Sequence, residues 1–206
     1  MSIEDERFYT HHGIDVKGIA RAVGKGITHG GITEGASTIT QQLIKNNIFT
    51  NWTEEDSFAD RLTRKVQEWF LAMKLERETD KEWILENYLN TINLGGGNWG
   101  VETASRYYFG KDVSELNVSE SAVLASVIKN PTKYNPLLNP TKNAERRELV
   151  LTHMVEDGYI SEEEKTEALS DDVYTRIAEI SASDRGTQIL DYFEDDMIRE
   201  VLNDLM

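Results

Sequence analysis

Cysteine is absent from this 206-residue chain, which excludes disulfide bridges and thiolate metal sites. That leaves the compartment open. Proline is scarce, and all three residues, Pro131, Pro136 and Pro140, fall in one short loop, which they make rigid. No apolar run approaches the ~20 residues needed to cross a bilayer. No signal-peptide pattern precedes Glu4. Positive charge is also in short supply: 22 Lys and Arg stand against 37 Asp and Glu, a net charge of -15. Such a balance argues against nucleic acid as a partner, because a phosphate backbone demands a basic face. It argues equally against broad adsorption to anionic lipid. Alternating strand patterns are missing, so the expected fold is mainly α. The 39% hydrophobic content supplies enough material for a core. The glycines at 24, 26, 30 and 31 fit no nucleotide-binding fingerprint, so no nucleotide cofactor is expected. His11 and His12 are adjacent and cannot share a helix face, which speaks against a histidine metal site.

The chain is organised around the stretch from Gly35 to Asn46. Gly35 and Ser37 read as a turn and an N-cap, opening a helix over about 38–47. Thr38, Gln41, Gln42 and Lys45 recur on it at three- and four-residue spacing and share one face. A hydroxyl, two amides and an ammonium suit a polyoxygenated anionic ligand, a sugar or a phosphate. The helix N-terminus adds partial positive charge near Ser37 and Thr38. Taken alone, the same residues also suit a solvated polar face.

Four further stretches stand in order around it. Glu4 to Gly13 is dense in titratable groups, with Phe8 and Tyr9 as anchors, and Arg64-Lys65-Val66-Gln67-Glu68 follows the central helix. Then come Lys81 to Asn90 and Ala104 to Lys111. In this order the five stretches resemble the signature motifs of the family 51 glycosyltransferases, the peptidoglycan glycosyltransferase domains of class A penicillin-binding proteins and their monofunctional relatives.

The resemblance implies a lysozyme-like large lobe with a small membrane-facing jaw, the jaw over roughly 14–60. Residues 1–183 would form the glycosyltransferase domain, and 184–206 a linker helix leading toward a transpeptidase domain. It also implies a membrane anchor ahead of the first motif, so the sequence reads as a piece of a longer protein working at the extracytoplasmic face of the bacterial cell membrane. The implied reaction joins lipid II to a lipid-linked glycan strand in β-1,4 linkage, with inversion and release of undecaprenyl pyrophosphate. Carried onto this chain, the catalytic carboxylates are Glu4, the base, and Glu68. The substrate-binding positions are Asp5, Phe8, His11, Ser37, Thr38, Gln41, Gln42, Lys45, Arg61, Arg64 and Lys65. Glu68 would hold a divalent cation, Mg or Mn, or orient the neighbouring cations. The family's additional phosphate-binding Arg falls one residue from Arg61, at Asp60. Two rivals stay open: a lysozyme-like enzyme that cleaves the same polymer, and a non-catalytic binding module.

Around these motifs the pattern predicts a helix over 16–25 capped by Asp15, with Ile19, Ala20 and Val23 inward. Leu62, Val66, Trp69, Phe70, Met73 and Leu75 outline a second helix from Phe58. Exposed aromatics among Phe49, Trp52 and Phe58 would insert at a lipid interface or pack beneath a loop, and Glu54-Glu55-Asp56 counts against deep insertion. Thr79 with Glu82 reads as a capping box, with Trp83 as core and Glu86 as a buried or capping carboxylate. Helices follow at 101–109, 119–128, 141–157 and 161–169, and Leu190, Phe193, Met197, Val201 and Leu205 form a last apolar stripe.

Overall fold

The computed structural model describes residues 1–29, 37–49 and 57–183, with helix α1 at Val16–His29, α2 at Ile39–Ile48 and α3 at Phe58–Glu78. Next come α4 at Lys81–Thr91, α5 at Val101–Phe109, α6 at Val118–Val127, α7 at Pro140–Glu156 and α8 at Glu162–Ser170, and residues 173–183 are helical. The expected mainly α fold is found; among the described residues the one β feature is an isolated bridge between Asn93 and Trp99. Outside these residues lie Gly30, Gly31, Gly35, Trp52, the acidic run 54–56 and the final apolar stripe, as do the side chains of Val23 and Phe58. None of the described helices is long and apolar enough to cross a membrane.

The centre is α6. Apart from Glu120 its sequence is apolar or small on every side, and buried Ala122, Val123, Leu124 and Val127 sit with buried Ser119, Glu120 and Ser126. A short helix with no polar face suits the middle of a bundle, and α6 packs against α5, α7 and α8. Asn117 caps it reciprocally with Glu120. The main core joins Phe8, Ile39 and Leu43 to Ile84, Tyr88, Tyr108 and Val123, so the first turns of the chain and α2 are built into it. Although α2 falls in the range expected for the jaw, it buries two of its apolar residues there and packs on α3 and α4.

Several boundaries move. Helix α1 runs through Gly24 and Gly26 to His29, because an internal glycine costs only about 1 kcal/mol and does not stop a helix. Ala20 is exposed, and Gly18 and Ala22 are buried instead. The N-cap of α2 is Thr38, not Ser37: its hydroxyl accepts the Gln41 N–H. Asp80 caps α4 by accepting the Trp83 N–H, while Thr79 closes α3 by donating its hydroxyl to Leu75 O. Trp83 is half exposed and Glu86 is exposed, so neither is core.

The largest departure is in α3. Leu62, Val66 and Phe70 stand 53–64% exposed, whereas Glu68, Ala72 and the Glu76 side chain, also four residues apart, are buried. The inward face of this helix carries carboxylates, and each is held by cations or hydroxyls.

Candidate active site

The first thirteen residues form successive turns rather than a frayed end. Glu4 N and Asp5 N both donate to Met1 O, and Thr10 N and His11 N both donate to Arg7 O. Phe8 is fully buried and anchors the segment. Asp5, 6% exposed, accepts from His11 Nε2 at 2.9 Å and from the Ile39 backbone N–H at 2.8 Å. Because His11 Nδ1 receives the Gly13 N–H, the neutral ring carries its proton on Nε2 and donates it to Asp5. The anion at the N-terminus of α2 is therefore Asp5 itself. The positive helix end expected to serve a ligand instead holds the first segment of the chain.

Gly13 explains the closeness of that segment. Its φ is +87°, and a Cβ there would come within 2.6 Å of the Ala72 backbone. Gly13 O accepts both the Thr38 hydroxyl, at 2.9 Å, and Gln41 Nε2, at 3.0 Å. Thr38 and Gln41, expected on a ligand-facing surface, are thus fully buried and hold the segment to α2.

Gln42 and Lys45 are only partly buried. Gln42 Nε2 donates to Glu4 Oε2 at 3.3 Å, and its Oε1 accepts the Tyr88 hydroxyl at 3.1 Å, which fixes the amide's orientation. Arg146 Nη2 donates to the other oxygen, Oε1, at 3.2 Å. Burial raises the Glu4 carboxyl above the usual range, opposed by the Arg146 charge and the Gln42 hydrogen bond. Glu4 is a part-buried carboxyl with a heightened proton affinity, which a base requires.

The second carboxylate is arranged differently. Glu68 is 1% exposed, and its oxygens receive Arg64 Nη1 on one side and Lys65 Nζ, at 2.8 Å, on the other. Lys65 Nζ also donates to Ser37 Oγ at 2.7 Å and Gln41 Oε1 at 3.1 Å, so its three protons are placed. Burial pushes the Lys45 ammonium below its ordinary value; Glu68 and Glu4 oppose this, and Lys65 and Arg64 add to it. Three cations around one buried carboxylate leave a local positive excess inside an acidic protein, the field an anionic ligand would neutralise. That donor set does not fit a divalent cation at Glu68, whose oxygens already bind positive groups, and among the described residues no three acidic or histidine side chains converge to hold a metal. Arg61 is exposed, one turn before Lys65.

The sequence profile of the transglycosylase family matches residues 1–155. The chain belongs to the transglycosylase family. It is 48% identical over 168 residues to penicillin-binding protein 1F of Bacillus subtilis, an alignment covering 82% of the chain and 22% of that protein. Penicillin-binding protein 1A of Haemophilus influenzae is 39% identical over 199 residues, covering 97% of the chain and 22% of the relative. Penicillin-binding protein 1A of Aquifex aeolicus is 46% identical over 170 residues, covering 82% and 22%. The chain thus spans about a fifth of the length of these relatives. In this family member Asp5, Phe8, His11, Thr38 and Gln41 come together as structural supports, and Gln42, Lys45, Arg64 and Lys65 gather around the carboxylates of Glu4 and Glu68.

Four residues of this candidate site escape a reading of spacing. Tyr88, buried in the core, also orients Gln42. Glu76 Oε1 accepts the Thr40 hydroxyl at 2.5 Å and Lys81 Nζ at 2.8 Å. Lys81 in turn lies 4.5 Å from the Phe8 ring centre and 3.4 Å from His11 Nδ1, tying α4 to the first turns. The four-residue repeat Glu68, Ala72, Glu76 was the available signal for Glu76. For Arg146, 142 residues from Glu4, there was none.

Proposed function

We propose that this domain is a peptidoglycan glycosyltransferase that polymerises lipid II into β-1,4 glycan strands. Glu4 takes the proton from the acceptor sugar's 4-hydroxyl as that oxygen attacks the donor's anomeric carbon. The new C1–O bond forms as the bond from C1 to the lipid pyrophosphate breaks on the opposite face, so an α-linked donor gives a β product. The geometry resembles that of inverting glycosidases, with the acceptor sugar in the place of water. Lys45, Arg64 and Lys65 neutralise the charge building on the departing undecaprenyl pyrophosphate, and Glu68 orients them. Ser37 shares Lys65 with that cluster, and the more exposed Arg61 meets the pyrophosphate at its edge. The donor strand, the acceptor lipid II and the membrane surface are the partners. In the full-length protein we expect a transpeptidase domain and a position on the extracytoplasmic face of the membrane.

One observation carries this reading: α2 presents Gln42 to the proton-hungry Glu4 and, one residue before it and three after, Gln41 and Lys45 to the cations around Glu68. A hydrolase of the same polymer expels no pyrophosphate and has no use for those cations. The test is polymerisation of lipid II in detergent by the parent chain and by Glu4→Gln. The substitution should abolish polymer and pyrophosphate release while the circular dichroism stays native; turnover within about threefold of the parent would remove Glu4 from the base role. Its stability adds a sign. A carboxyl whose folded pKa is raised favours the fold when protonated, and that contribution is lost as pH rises through the folded pKa. Glu4→Gln should therefore be at least as stable as the parent at pH 7, with any advantage shrinking toward pH 4.

A further inference from the structure

A buried carboxyl can serve as an acid or as a base, and what decides is whether it stays ionised. Around Glu4, α2 contributes Gln42 and Lys45, α4 the Tyr88 phenol, and the turn after α6 Lys129. Its own segment adds the Met1 ammonium and Asp5. The only cation within hydrogen-bond distance of the carboxylate among the described residues is Arg146, on α7.

Arg146 is built to stay there. Its side chain is 7% exposed, and its guanidinium lies 5.3 Å from the ring centre of Tyr134. Tyr134 is itself fastened to α7, because Asn143 Nδ2 donates to Tyr134 O at 2.7 Å. Asn143, fully buried, also accepts the Tyr174 hydroxyl and donates to Val123 O. The guanidinium is therefore positioned by the rigid proline loop and by core helices, not by solvent. Its Nε is buried with no hydrogen-bond partner among the described residues, so the guanidinium's contact with Glu4 is made through Nη2.

We propose that Arg146 is a positioning residue for the transfer reaction, holding Glu4 ionised and aimed so that it acts as base rather than acid. This rests on the reading of Glu4 as the base. An opposite charge in contact with a buried carboxylate favours the ionised form by about one to three pH units. Without it, burial would leave Glu4 protonated over more of the working range, and a protonated Glu4 cannot take the acceptor's proton.

The test follows Glu4 directly. In the 13C-glutamate-labelled chain, the Glu4 carboxyl resonance is assigned by its loss in Glu4→Gln and titrated in the parent, Arg146→Gln and Arg146→Lys. The midpoint should rise by about one pH unit in Arg146→Gln and stay near the parent in Arg146→Lys, which keeps the charge. The acid limb of the polymerisation rate should move by the same amount, with kcat falling more than KM rises. An unmoved midpoint in Arg146→Gln, or a lysine variant titrating as high as the glutamine one, would overturn the inference. The lysine arm decides the matter even if the glutamine variant fails to fold, since a midpoint well above the parent in a folded lysine variant refutes the role of charge. A shifted midpoint in a chain that never polymerises lipid II would uphold Arg146's hold on Glu4 and refute the proposed function instead.

Discussion

Asp5→Asn tests whether the first turns of the chain are held by one buried carboxylate. The wild-type group receives two N–H donors, His11 Nε2 at 2.9 Å and the Ile39 backbone at 2.8 Å, in a place only 6% exposed. An asparagine offers one oxygen and one NH2, so one of these donors must face another donor. A hydrogen bond to a charged group contributes about 1.5–3 kcal/mol, and a stranded buried donor costs about 1–3 kcal/mol. Loss of a negative charge from the N-terminus of α2 adds about 0.5–1 kcal/mol. These overlap, and the expected total is about 3–5 kcal/mol. For a chain of this length that lowers Tm by roughly 10 °C, at about 2–4 °C per kcal/mol. Thermal unfolding followed by circular dichroism reads the loss. A double-mutant cycle with His11→Gln should show a coupling above about 1 kcal/mol, as for groups in direct contact. A drop in Tm of less than about 3 °C, or a coupling near zero, would refute the account of Asp5 as the pin between the first turns and α2.

Lys45→Ala should weaken binding of the lipid-pyrophosphate donor by about tenfold or more while leaving Tm nearly unchanged, because part-burial already disfavours its charge; unaltered donor affinity would detach Lys45 from the phosphate side. Gly13→Ala should destabilise by about 2–4 kcal/mol, since the residue combines a positive φ with a Cβ that would collide with the Ala72 backbone; near-parent stability in a urea titration would contradict that close approach. At Asp171 the Arg176 hydrogen bond holds the carboxyl down at about 2, so its stabilisation is present above the ordinary carboxyl pKa and is lost as pH falls through about 2. Asp171→Asn should therefore lower Tm at pH 6 and differ little from the parent near pH 2; an equal deficit at both would show that the ion pair is not its source.

The order of the five motifs and the period of the helices were legible in the residues themselves. Local signals marked several ends: Ser161 with Glu164 opens α8, and Gly110, at φ +67°, closes α5. Caps failed where two candidates stood side by side, Ser37 against Thr38 and Thr79 against Asp80, because only the course of the backbone decides which side chain reaches the N–H two or three residues on. Burial in α3 also could not be read from its pattern. An apolar stripe marks a core face only if nothing polar is needed there, and here the inward positions are taken by Glu68, paired with Arg64 and Lys65 of its own helix, and by Glu76, held by Thr40 of α2 and Lys81 of α4.

What the sequence by itself determined was therefore the helical class, the family, and the two carboxylates with their nearby cations, all of which rest on residue identity and short spacing. The tertiary structure alone decided which polar groups tie the first turns to α2 and which gather at Glu4 and Glu68. Thr38 and Gln41 turned inward to Gly13, while Gln42 on the same helix reached Glu4. It also brought Arg146 onto Glu4 across 142 residues of chain. Hydrogen-bond partnership at such separation depends on how α7 packs on α6 and the first turns, and no local period in the chain encodes that packing.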